Sequence, residues 1–142
     1  MKSIVKTFAV IFIIPIILSS CINYYSKQSN DVALSWNPEE SYFVDYEING
    51  EKIKFRYSIC FHNHTSEPTE IGISAKFNKR ELNGWLRYEG FFIGTDDRGI
   101  LKYGLIKPKE KINIIYTFEG DYLGGTVNEN LSFPEELMTI EK

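Results

Sequence analysis

Tyr42-Phe43-Val44-Asp45-Tyr46-Glu47-Ile48-Asn49-Gly50-Glu51-Lys52-Ile53-Lys54-Phe55-Arg56-Tyr57-Ser58-Ile59-Cys60-Phe61 is the stretch that decides the fold. Tyr42, Val44, Tyr46 and Ile48 alternate with Phe43, Asp45, Glu47 and Asn49. Beyond Asn49-Gly50, Ile53, Phe55, Tyr57, Ile59 and Phe61 alternate with Lys54, Arg56, Ser58, Cys60 and His62. A period of two places alternate side chains on opposite faces of a strand. Two such runs joined by Asn-Gly predict a β-hairpin. A two-residue loop at Asn49-Gly50 pairs Ile48 with Glu51, Tyr46 with Ile53, Val44 with Phe55 and Tyr42 with Tyr57. Apolar residues meet at every pair but the first, so one face of the hairpin is greasy. A one-residue slip would turn Lys54 and Arg56 into the core.

Towards the C-terminus the alternation continues. His62 to Pro68 reads as a loop, and Ile71, Ile73, Ala75 and Phe77 predict a third strand. Asn78 to Gly84 is a turn or one short helical turn. Trp85 to Ile93 is strand-like, with Gly90 and the Phe91-Phe92 pair suggesting a bulge. Thr95 to Gly99 is a tight turn, Ile100 to Ile106 the next strand, and Ile112, Ile114, Tyr116 and Phe118 the last clear one. Ser132-Phe133-Pro134-Glu135 resembles a capping box before a helical turn; alternatively, Leu137 to Ile140 closes the sheet as a strand. Short strands at this spacing predict an all-β domain, an antiparallel sandwich of about seven strands, with a small closed barrel as the alternative.

Towards the N-terminus the composition changes. Ile22 to Glu40, with Ser26-Lys27-Gln28-Ser29-Asn30-Asp31 at its centre, has little to bury and reads as a tether. A flexible coil of about 15 residues spans on the order of 20 Å. Before it stand Lys2 and Lys6, an apolar run from Phe8 to Leu18, and Leu18-Ser19-Ser20-Cys21. A basic start, a short greasy run and small residues before a cut describe a secretory signal peptide. A membrane-spanning helix needs roughly 20 apolar residues; this run is shorter, is interrupted by Pro15 and ends in serines. The expected organisation is a signal peptide over 1–20, a lipidated N-terminus and tether over 21–39, and a β-sandwich over 40–142.

Leu18-Ser19-Ser20-Cys21 resembles a bacterial lipobox. That resemblance implies cleavage by signal peptidase II before Cys21, a diacyl lipid on Cys21, and residence on a membrane facing away from the cytoplasm. Ile22 rather than an aspartate after the cysteine implies the outer membrane in a cell that has two. Many small bacterial surface lipoproteins carry immunoglobulin-like domains, and the strand order here resembles theirs. The Cys…Trp…Cys arrangement of antibody domains is absent.

Cleavage before Cys21 leaves 122 residues, enough for one domain with a real core. It removes two lysines and no acid, so the formal charge moves from −3 to −5. Such a chain has no electrostatic footprint for nucleic acid and no polybasic segment for anionic lipid; the membrane partner is reached through the Cys21 lipid. With Cys21 lipidated, Cys60 stands alone and no internal disulfide forms. Its expected role is that of a shielded small hydrophobe.

Little in the sequence carries chemistry. His62 and His64 share one side of an extended chain, as a metal pair requires, but no third ligand has a fixed place. Cys60 and His62 at the same spacing lie about 7 Å apart between Cβ atoms, too far for a nucleophilic dyad. Asp96-Asp97-Arg98-Gly99 lacks the repeated acidic ligands of a calcium loop. No metal and no cofactor is expected. Aromatics are more telling: Phe91 and Phe92 cannot both point inward from a regular strand, and Tyr122-Leu123 sits among glycines in the loop Gly120–Gly125. Tyr122, Leu123, Phe91 and Phe92 are the candidate partner contacts. The expected function is a membrane-anchored binding or assembly module of the cell envelope with another envelope protein as partner, not an enzyme. An envelope hydrolase with an unrecognised site and a small inhibitor or immunity lipoprotein are the alternatives.

Overall fold

A computed structural model describes residues 33–142. The expected signal peptide, Cys21 and the expected tether up to Val32 lie outside the described residues. The chain from Leu34 onward forms seven strands and one short helix: β1 (Leu34–Asn49), β2 (Lys52–Asn63), β3 (Thr69–Lys76), α1 (Lys79–Leu82), β4 (Phe92–Ile93), β5 (Gly104–Ile106), β6 (Lys111–Asp121) and β7 (Glu136–Glu141). Among the described residues no helix is long and apolar enough to cross a membrane.

Two antiparallel sheets result, and neither closes into a barrel. One has the order β1-β2-β6. In the other β3 is central: Ile71 and Ser74 each have a partner on β7 and a second on β5 or β4. A strand has two edges, so β7 takes one and β4 and β5 lie end to end along the other. Packing of β4 and β5 against β6 puts β7 on the β1 side of the sandwich.

The greasy face of β2 is as read: Ile53, Phe55, Tyr57, Ile59 and Phe61 are all buried. They meet Ile71, Ile73, Ala75 and Phe77 from the other sheet, and Ile114, Tyr116 and Phe118 from β6. Gly120, opposite Ile53 on β6, lets Leu86 reach the backbone; a Cβ there would stand 2.5 Å from Leu86 Cδ1. At the opposite end Asn63 is fully buried. Its Nδ2 donates to Glu67 O, Ile106 O and Lys107 O, and its Oδ1 accepts from Thr65 N, which ties two loops together.

Several local expectations are corrected. The hairpin loop is Gly50-Glu51, with Asn49 paired to Lys52. Gly50 takes the positive φ of 61° that the first central position of a type II′ loop demands. The register moves by two residues, so Ile48 faces Ile53 and Tyr46 faces Phe55; an even shift leaves the faces unchanged. A bulge between Phe43 and Asp45 then reverses them. Phe43 turns inward opposite Tyr57, while Tyr42 and Val44, expected inside, point to solvent. Leu34 to Glu39, read as tether, run in β1, where Trp36 opposes Phe61. The strand expected over Trp85–Ile93 shrinks to Phe92–Ile93, because Trp85 and Leu86 follow α1 straight into the core. The capping box starts no helix: Ser132 spends its N–H and hydroxyl on Glu81, and β7 follows.

Phe55→Ala should cost about 3–5 kcal/mol in denaturant unfolding. Phe43→Ala should cost more than Tyr42→Ala; equal costs would overturn the bulge.

Candidate interaction surface

The outward face of the β1-β2-β6 sheet is a lattice of ion pairs. Lys52 reaches Asp121 at 2.7 Å, and Arg87 reaches the same carboxylate at 3.2 Å. Hydrogen bonding to Lys52 holds the Asp121 carboxyl below its usual range. Arg56 forks onto both oxygens of Asp45 and lies 3.7 Å from Asp97. Lys54 donates to Asp97 O and Thr117 to Asp97 Oδ1. A shallow groove runs over Asp45, Arg56, Asp97 and Thr117, and its charges already answer one another. Asp96 is a turn-former: its Oδ1 accepts the backbone N–H groups of Arg98 and Ile100, and the Ile100 bond leads in lowering its pKa.

Cys60 lies on this same outward face yet is buried. The cover is an irregularity of β1 between Asn37 and Tyr42 that folds Glu40 and Ser41 over it. Ser41 Oγ accepts the Cys60 N–H, and Cys60 Sγ donates to Glu40 Oε2 at 3.3 Å. Lys111 and Asn113 hold Glu40 from the other side. Burial first, then the Glu40 carboxylate, pushes the thiol pKa up; Glu40 itself is pulled down, mainly by Lys111. The site keeps a protonated thiol, the opposite of an activated nucleophile.

His62 and His64 do come together, ring centroids 4.0 Å apart. Burial, the neighbouring His64 and then Lys111 and Lys109 lower the His62 pKa. Ser35 Oγ sits 2.7 Å from His64 Nε2. Two lysines beside the rings oppose a cation, and among the described residues no third ligand joins them.

The aromatic candidates divide. Phe92 is a core residue, packed against Phe55 and Phe77, and offers no surface for contact. Tyr122 is half-buried against the core: its N–H donates to Glu51 O and its hydroxyl to Gly125 O. That is the arrangement of a cap on the end of the sandwich. Leu123 remains exposed, its N–H bonded to Trp85 O. Phe91 is 37% exposed beneath the Lys76 ammonium, 6.0 Å from the ring centre. Tyr88 carries Lys79 in the same way at 5.5 Å. Beside Phe91, Ile93 and Met138 flank Ser74 on the outward face of β3, and each is about half exposed at 48% and 49%. The structure therefore exposes Phe91, Ile93 and Met138 on the outward side of this sheet, with Lys76 over Phe91 and paired to Glu136 at 2.7 Å. Ile93 and Met138 were not singled out in the sequence, since only the pairing of β4 and β7 with Ser74 brings them side by side.

Comparison with family models, with curated proteins and with solved structures finds no match.

Tyr122→Ala should lower the melting temperature by several degrees, at about 4–8 °C per kcal/mol lost, while Leu123→Ala leaves it unchanged. Cys60 should resist alkylation at pH 8 in the native protein and react once it unfolds. Glu40→Ala should accelerate native-state labelling; an already fast Cys60 would contradict the cover.

Proposed function

We propose that this chain is a lipid-anchored binding module of the bacterial cell envelope. The observation that carries the reading is Leu18-Ser19-Ser20-Cys21 behind a basic, apolar leader. A diacyl lipid on Cys21 supplies the two-chain anchoring that one chain cannot, at about 0.8 kcal/mol per buried methylene. The binding role is supported by the surface around Phe91, Ile93 and Met138, where apolar side chains stand clear of the core with lysines beside them. Aromatic and methionine side chains are enriched where proteins meet.

The immunoglobulin-like reading is part of the proposal. In chain order, β1, β2 and β6 parallel strands A, B and E of such domains, and β3, β4/β5 and β7 parallel C, C′ and F. The position of strand G, beside β7, is unpaired among the described residues.

The test takes the full chain expressed in a bacterium. Mass spectrometry should find Cys21 as the lipidated N-terminal residue, and Cys21→Ser should leave a soluble or uncleaved form. An unmodified Cys21 would overturn the anchor. Recovery of a stoichiometric partner from solubilised membranes, lost with Phe91→Ser or Met138→Ser, would support the module. Hydrolase activity without a partner would overturn it.

A further inference from the structure

Among the described residues, one edge of the second sheet, that of β7, carries no partner strand. Gly94 N–H donates to Ile73 O, so the backbone of Ile73 faces β4. Alternation then turns Gly72, Ser74 and Lys76 towards β7, where Lys76 O accepts from Glu135 N. Their partners Ile140, Met138 and Glu136 therefore spend their backbone groups on β3. Leu137, Thr139 and Glu141 turn theirs to the free edge, which no strand occupies among the described residues.

The other edges are blunted. β1 carries Pro38 and two bulges, devices that discourage strand pairing. The outer edge of β6 is taken by Thr95 and by Arg87 N–H on Asp121 O. β4 and β5 are short and interrupted. β7 is regular, without proline or bulge.

The wall facing this edge is apolar. β7 lies on the β1 side, and Trp36 and Tyr46 on β1 share the inward face with Phe61 and Phe55, yet are 40% and 38% exposed. The opposite sheet stops short of them.

Charge selects the occupant. From Leu34 to Asn49 the charged residues are Glu39, Glu40, Asp45 and Glu47, and in β7 they are Glu136 and Glu141, with no lysine or arginine in either strand. Arg56, Lys111 and Lys76 already answer Asp45, Glu40 and Glu136, which leaves Glu39, Glu47 and Glu141 without an ion pair among the described residues, and Lys142 is held by Glu70 at 2.9 Å. A second copy would bring another acidic edge to this one.

We infer that β7 accepts an extended segment of a partner protein, apolar at alternate positions and basic at its ends, which completes the open side of the sandwich. Main-chain bonds to Leu137 and Thr139 give affinity in this mode, and alternate side chains give specificity. The inference deepens the binding-module reading by naming its partner class; it does not depend on the lipid.

The test uses the detergent-solubilised full chain and fluorescent nine-residue peptides of alternating valine and threonine with lysine at both ends. The peptide should bind, and the version with glutamate ends should bind about tenfold more weakly. Thr139→Pro removes an outward N–H and no β3 bond, so the protein should keep its melting temperature and lose the peptide. Glu141→Lys, which disturbs no ion pair, should weaken the preference for lysine ends. Unchanged binding to Thr139→Pro would overturn the inference, as would a native dimer that Thr139→Pro dissolves. A membrane partner recovered equally by wild type and Thr139→Pro, but lost with Met138→Ser, would keep the binding module and overturn the edge.

Discussion

One ring holds the two sheets together. Phe55 on β2 stacks on Phe43 and Phe118 within its own sheet, at 6.4 and 5.4 Å between centroids. It meets Phe77, Trp85 and Phe92 edge-on at 5.3, 5.7 and 6.3 Å. Its partners thus come from β1, β6, β4, the end of β3 and the turn after α1. With no disulfide among the described residues, aromatic packing of this kind, about 0.5–1.5 kcal/mol per pair beyond area burial, does the work of a cross-link. The arrangement also explains the short helix: Asn78 caps α1 through Arg80 N–H, and the turn delivers Leu82, Trp85 and Leu86 to the core within a few residues.

The core of β2 was legible because an uninterrupted alternation survives an error of register. Placing the loop at Asn49-Gly50 rather than Gly50-Glu51 moved the partners of Ile48 and Tyr46 by two and changed neither face. What alternation cannot report is an inserted residue. Val44 is one more apolar residue in an apolar run, and nothing in Tyr42-Phe43-Val44 says which of the three is unpaired. The bulge is decided by tertiary packing, since Phe43 finds Phe55 only when Val44 is extruded. The same holds for Phe91-Phe92, where Phe92 is drawn in by Phe55 and Phe77 and Phe91 is left under Lys76.

The surface was less legible, because it is built from residues far apart in the chain. Cys60 alternates outward with Arg56 and Ser58, yet it is covered by Glu40 and Ser41 from a segment read as tether. Composition misjudged Leu34 to Glu39 because the segment is polar and half-exposed; it is held by pairing with β2, and pairing leaves no mark on composition. The open edge of β7 is likewise invisible in Glu136-Leu137-Met138-Thr139-Ile140-Glu141 alone. It depends on which side of β3 the strand takes.

The two outward faces divide the surface by what each can contribute to binding. On the β1-β2-β6 sheet, Lys52, Arg56 and Lys111 are committed to Asp121, Asp45 and Glu40. Exposed pairs of this kind are worth about 0–1 kcal/mol each and weaken with salt, and a partner would have to break them before using them. On the other sheet Lys76 and Lys142 are paired as well, with Glu136 and Glu70, but Ile93 and Met138 need give up only water, at about 25 cal/mol per Å² of apolar area covered. In the binding module proposed above, affinity therefore comes from the β3 face and the β7 edge beside it, where Met138 belongs to both. The acidic rim of β1 and β7 adds little affinity of its own. In the proposed mode the unpaired Glu39, Glu47 and Glu141 act on the choice of partner and on its rate of approach, favouring a basic segment over a second copy of the chain.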